Sequence, residues 1–265
     1  MTTIPCFQVD AFTAEPFRGN PAAVCLLDEP ADERWMQSVA AEMNLAETAF
    51  VRPLDEETFE LRWFTPRLEV DLCGHATLAA AHVLWEQSQL PADRAAQFQT
   101  RSGTLVCEKQ GDLIQMDFPA TPAHETTRPP GLEAALGVQP LWVGQSRYDY
   151  LVGVIDEEEV QSARPDFRAL AEIETRGVIV TSISDDDRYD FVSRFFAPRA
   201  GVDEDPVTGS AHCCLAPYWS DLLSKEKLIG YQASERGGVV HTECVGDRVK
   251  LKGPAVTVLC GEIVV

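Results

Sequence analysis

Two four-residue stretches carry the side chains best suited to chemistry. Cys73-Gly74-His75-Ala76 sets a thiol and an imidazole around a glycine, and Thr208-Gly209-Ser210-Ala211 sets two hydroxyls around another, just after the acidic run Asp203-Glu204-Asp205. Each glycine opens a stretch of helical periodicity, so each motif falls where a helix presents unbonded N–H groups and the positive end of its dipole. Such a helix start suits an anion, and glycine lets a ligand approach the backbone closely. His75 has an ordinary pKa near enough to neutrality to serve in either protonation state. Asp205 precedes Pro206 and is thereby held in an extended turn, outside the helix. Ser210 can donate to a ligand or serve as a hydrogen-bonding group of the helix start. Cys73 beside His75 invites a nucleophilic thiol, but positions i and i+2 at a helix start do not face each other, so the spacing predicts thiol and imidazole apart. Structural readings stand beside each of these: glycines that permit tight turns, a histidine that packs, an acidic loop that favours a helix N-terminus. Asp203 and Glu204 are read in that last way.

The two motifs are copies of one another. RWFTPR at Arg62 leads into the first and RFFAPR at Arg194 into the second. From the glycines onward a constant offset of 135 aligns Gly74 with Gly209, Ala76 with Ala211, Gln97 with Gln232, Arg101 with Arg236, Gly103 with Gly238, and Gly111-Asp112 with Gly246-Asp247. An ordered series at one offset marks a duplicated domain. The copies differ where chemistry would sit. Cys73 stands opposite Thr208, His75 stands opposite Ser210, and the second copy inserts three residues before its glycine. Half-sites of like geometry and unlike side chains predict one composite site between two lobes.

The elements that must position these motifs follow from periodicity. Strands are expected around Phe7–Val9, Ala22–Leu27, Glu47–Val51 and Phe59–Phe64, from alternation and from Thr, Val, Phe and Trp content. Asp32 to Met43 has helical spacing, with Asp32 as N-cap and Asn44 as stop. Gly74–Gln87 and Gly209–Leu223 are apolar around nearly their whole circumference, which predicts two buried helices, the second kinked at Pro217. Gln97–Phe118 and Gln232–Gly253 read as strand pairs turning at Gly111-Asp112 and Gly246-Asp247. Asn20 and Pro21 are read as a turn shaping the wall of the site. The extended stretch Pro119–Pro130 is the expected boundary, giving lobes of 1–120 and 121–255, with a last strand, Val256–Val265, returning to complete the first. Each lobe is expected to wrap a mainly antiparallel, barrel-like sheet around one central helix, an α+β fold.

Composition narrows the function. A formal charge of −20 argues against nucleic acid or an anionic membrane as partner, since either needs a basic face. Among eight cysteines and five histidines no CxxC pair or other zinc spacing occurs, and no GxGxxG or GxxxxGK loop follows a strand. Reduced thiols, a cytoplasmic location and the absence of any metal or nucleotide cofactor are the resulting expectations.

The runs DAFTAEPFRGNPAAV (Asp10 to Val24), NLAETAF (Asn44 to Phe50), RWFTPRLEVDLCGHAT (Arg62 to Thr77) and DEDPVTGSA (Asp203 to Ala211) resemble the phenazine-biosynthesis isomerase, or PhzF-like, family, and the resemblance extends from end to end. That family is similar in turn to diaminopimelate epimerase, whose two matching lobes each surround a central helix. The resemblance implies a homodimer that performs cofactor-free proton transfer on a small carboxylic acid. It implies Glu47 as the group that moves the proton, assisted by His75, Asp205 and Ser210. The substrate would lie against Asn20, Gly74, His75, Ala76, Gly209 and Ser210. The epimerases use one cysteine from each lobe; Cys73 matches the first and Thr208 replaces the second, which argues against a two-thiol racemase. A racemase or epimerase, a Cys73-dependent hydrolase and a catalytically silent small-acid binder remain as alternatives.

Overall fold

The alternating segment around Phe7–Val9 lies within a strand, β1 (Thr3–Ala11), in the computed structural model, which describes residues 3–264. The fold is mixed α+β and dominated by strands. Its contacts divide the chain into two units, one running to Asp117 and resuming at Lys252, the other spanning Phe118–Leu251.

In the first unit β1 is flanked by β2 (Asn20–Leu26) and by the C-terminal strand (Ala255–Val264), both antiparallel to it. The expected strand end at Val265 lies outside the described residues. Asn20 and Pro21 therefore begin a strand and do not form a turn. The reversal happens earlier, at Gly19, whose φ of +62° and crowding against the Ala11 carbonyl leave no room for a side chain. Asp32 caps α1 (Glu33–Met43) by accepting from the amides of Arg34 and Trp35, and Asn44 ends it in the left-handed region. β3 (Glu47–Pro53) runs parallel to β2, with Glu47 paired to Ala22, and antiparallel to β4 (Thr58–Phe64). After the short β5 (Glu69–Val70) comes α2 (Gly74–Glu86), buried on nearly every side and packed against β1, β2, β3 and the C-terminal strand. β6 (Ala96–Thr100), β7 (Gly103–Gln110) and β8 (Leu113–Pro119) follow, with Gly111 at φ +63° in the last turn.

The second unit holds further elements between the linker and the second Arg motif. These are β9 (His124–Glu125), α3 (Leu132–Leu136), β10 (Trp142–Gln145), β11 (Asp149–Gly153), α4 (Glu157–Ser162), α5 (Phe167–Ala171) and β12 (Gly177–Ile183). β13 (Phe191–Phe196) then leads through the inserted acidic loop to α6 (Gly209–Leu223), and β14 (Lys227–Gln232), β15 (Gly238–Val245) and β16 (Arg248–Gly253) close the unit. The pairing senses of the first unit recur: β11 is parallel to β12, β12 antiparallel to β13, and β13 parallel to β14. Pro217 sits inside an unbroken α6. Proline has no N–H for the Cys213 carbonyl, and the amide of Thr121 supplies one at 3.0 Å. A loop amide thus satisfies the carbonyl that the proline leaves without its helical donor.

Candidate active site

Three side chains converge in the first unit. Glu47 stands at the first position of β3, Cys73 is the residue before α2, and His75 is the second residue of that helix. His75 Nδ1 lies 3.4 Å from Cys73 Sγ, and its Nε2 lies 3.3 Å from Glu47 Oε2, within ion-pair distance but outside hydrogen-bond geometry. The expectation that thiol and imidazole would lie apart is therefore corrected. Cys73 has extended backbone angles (φ −146°, ψ 111°), so the helical i, i+2 divergence does not apply to it. Asn20 sits two residues before the Ala22 that pairs with Glu47, so the period of the strand puts Asn20 and Glu47 on one face of the sheet. Asn20 and His75 are buried, and Glu47 is partly open to solvent.

Burial depresses His75 to about 4 from its usual 6.5, because the charged ring would lose its hydration. The neighbouring Glu47 carboxylate favours the imidazolium, but complete enclosure outweighs one partner placed off hydrogen-bond geometry, and the neutral ring is the resting form. The tautomer that accepts from the Cys73 thiol at Nδ1 carries its proton on Nε2, facing Glu47. Glu47, Cys73 and His75 also offer donor atoms within 4.8 Å of one another, a mixed N, O and S set that could hold a cation. No spacing rule reveals this trio, because Glu47 comes from a strand remote in sequence.

The matching station in the second unit is built differently. Thr208 donates its hydroxyl to Asp205 Oδ2 at 2.5 Å, and buried Gln232 clasps the loop. Gln232 Oε1 accepts from the Thr208 amide at 2.8 Å, and its Nε2 donates to the Asp205 carbonyl at 2.7 Å. Asp205 is thus fixed from both its side chain and its backbone, with Ser210 at the second position of α6, where α2 has His75. Gln232 entered the sequence reading only as a repeat match, and its buried amide is what shapes this loop. Glu204 forms a fork with Arg194, with bonds of 2.7 and 2.8 Å, while a third guanidinium nitrogen donates to the Ala163 carbonyl at 2.8 Å. In the first unit Arg62 is held in the same way by Glu69, through two bonds of 2.7 Å. The Arg of each repeated motif is therefore an anchor for the loop that enters the helix.

Both helix starts share one property. α1, α4 and α5 each begin with an aspartate whose carboxylate accepts first-turn amides, whereas neither Cys73 nor Thr208 caps its helix and neither first turn contains an acid. The amides of Gly74, His75 and Ala76, and of Gly209, Ser210 and Ala211, face no side-chain cap and are available to an anion.

Comparison with known proteins places this geometry. The model of the phenazine biosynthesis-like (PhzC-PhzF) family matches residues 9–261, and the chain belongs to that family. An uncharacterized isomerase of Halalkalibacterium halodurans is 52% identical over 99% of both chains. The crystal structure of a PhzF-family protein from Enterococcus faecalis superposes with a TM-score of 0.95 at 41% identity, covering 100% of each chain. A structure from Pseudomonas aeruginosa, named a predicted epimerase, shares the fold at a TM-score of 0.78 and 23% identity, over 99% of each chain. Among the described residues no helix is long and apolar enough to cross a membrane.

Proposed function

We propose that the protein is a cofactor-independent isomerase that shifts a proton within a small carboxylic acid, cyclic or aromatic in kind. Ionised Glu47 removes a proton from a carbon activated by the acid or by its conjugated system. The C–H electron pair moves into that system, and Glu47 returns the proton to a second carbon on the same face, so no atom is gained or lost. The uncapped helix starts hold the substrate carboxylate and the charge that develops. Neutral His75 orients Glu47 and the substrate, and Asp205 and Ser210 are the further residues that the family pattern assigns to the reaction. This reading includes two pseudo-symmetric lobes, each a barrel-like sheet around α2 or α6, and a cytoplasmic homodimer.

The observation that carries the reading is the contact of Glu47 with His75 at an uncapped helix start, in a chain of a family that includes proteins named isomerases. The test is Glu47→Gln, which keeps size and hydrogen-bonding capacity but carries no proton at neutral pH. Turnover should fall by about 10,000-fold, the upper end for general acid–base catalysis, with ligand affinity nearly unchanged. The assay is turnover with deuterium uptake from solvent against a panel of cyclic and aromatic amino and hydroxy acids, beside calorimetric affinity. An active variant with normal deuterium incorporation overturns the role of Glu47.

One observation favours a second reading. The Cys73 thiol lies 3.4 Å from a ring nitrogen that can take its proton, as a thiol-based epimerase or hydrolase needs. Against it, the partner position in the repeat is Thr208, which is engaged with Asp205.

A further inference from the structure

The second unit contains a solvent-open depression of about 480 Å³ that no step of the proposed reaction uses, lined by Gln145, Arg147, Tyr148, Arg176 and Arg199 together with Glu174. Three guanidiniums converge there in a chain whose acids outnumber its bases 42 to 22. Only Arg176 has an acidic partner, the buried Asp149, and neither Arg147 nor Arg199 forms an ion pair among the described residues. Glu174 shares the wall and pairs with none of the three. Asp205 also acts on Arg176 electrostatically. The three carboxylates match the three guanidiniums in formal charge, but among the described residues none of them pairs with Arg147 or Arg199, whose donors stay open to a ligand.

The arginines are also held in place. The guanidiniums of Arg147 and Arg176 lie 5.2 and 5.1 Å from the centre of the Tyr148 ring, and Arg176 lies 5.7 Å from that of Phe195. At an exposed ring each such contact is worth about 0.5–1 kcal/mol, enough to bias the two guanidiniums toward the shared Tyr148 ring. Arg199 reaches the depression from a 3₁₀ turn (Pro198–Ala200) just before the inserted loop. The strand ends involved are the counterparts of those that carry Asn20 and Glu47. Asp149 pairs with Gly177 as Ala22 pairs with Glu47, so Arg147 takes the place of Asn20 in the repeat. Arg199 in turn matches Arg67 of the first copy of the repeated motif.

We propose that this depression binds a small molecule through an oxyanionic group, a phosphate monoester or a dicarboxylate, held by Arg147 and Arg199 with Arg176 as the preset third donor. Planar guanidiniums match both oxyanions in a two-point fashion.

The test is calorimetric titration of the full-length protein with inorganic phosphate and with malonate at low ionic strength, for the natural sequence and for the double variant Arg147→Gln with Arg199→Gln. Arg176 is left intact because its loss would strand buried Asp149. For at least one anion a saturable site is expected that weakens at least tenfold in the double variant, while any binding at the uncapped helix starts persists and circular dichroism and the unliganded melting midpoint stay the same. Preference for phosphate assigns a phosphate monoester, and preference for malonate assigns a dicarboxylate. Glu47→Gln should titrate like the natural sequence, so this site and the proton-transfer reading can each fail alone. Equal affinity in the double variant, or no saturable binding of either anion, overturns the proposal.

Discussion

Acid should loosen this protein through His212, in a way that can be worked from the structure. His212 is fully buried in α6, and its Nδ1 donates to the Thr208 carbonyl at 2.9 Å. Its Nε2 has no hydrogen-bond partner and lies against the Phe191 ring and Gly230, where an added Cβ would sit 3.1 Å away. Burial depresses this imidazole to about 4 from 6.5. The unfolded chain therefore binds more protons than the folded one between those values. Stability falls as pH drops through that window and is insensitive to this group above and below it. With those two values the stability lost between pH 7 and pH 5 is about 2 kcal/mol, and about 3 kcal/mol by pH 4. The perturbation is His212→Gln, which keeps a donor for the Thr208 carbonyl and removes the titration. Urea unfolding at pH 7 and pH 5 should show the natural sequence losing about 2 kcal/mol more than the variant. His75, depressed to about 4 by the same kind of burial, adds a loss of similar size to both proteins and so cancels in the comparison. Parallel losses in the two proteins, or an imidazole resonance of His212 titrating near 6.5 in the folded state, would refute the reasoning.

Three further outcomes are expected. Cys73→Ser should retain most turnover on any substrate found, and a loss as deep as that of Glu47→Gln would transfer the chemistry to the thiol. Asp205→Asn should keep the fold, since an amide oxygen can still accept from Thr208, while lowering kcat by about 100-fold or more with little change in KM; unchanged kcat would confine Asp205 to the loop. Gly19→Ala should destabilise by at least 1 to about 3 kcal/mol in thermal melts, because a Cβ there meets the Ala11 carbonyl at 2.2 Å with φ at +62°; an unshifted midpoint would show that the turn can relax.

The sequence by itself determined the membership of the family, the two buried helices and the strands of the first half. Each of these is a local pattern: Asp32 caps its helix with residues two and three positions away, and Gly74 and Gly209 begin theirs at matching places in the repeat. Between the linker and the second Arg motif the reading lapsed, because elements as short as α3 and α5, five residues each, complete too few turns for periodicity to emerge. Tertiary structure alone decided what lies beside what. The parallel register of β2 and β3 carries Glu47 to the start of α2, and the extended backbone of Cys73 turns its thiol toward His75. The buried amide of Gln232 and the Arg194–Glu204 fork shape the loop that holds Asp205, roles that neither residue type announces. The arginine-lined depression forms only when the turn before β11, the entry to β12 and the 3₁₀ turn after β13 meet. Local preference is set by neighbours a few positions away and is written in the chain, whereas these meetings depend on strand register and on which surfaces are buried against each other, and no spacing in the sequence encodes them.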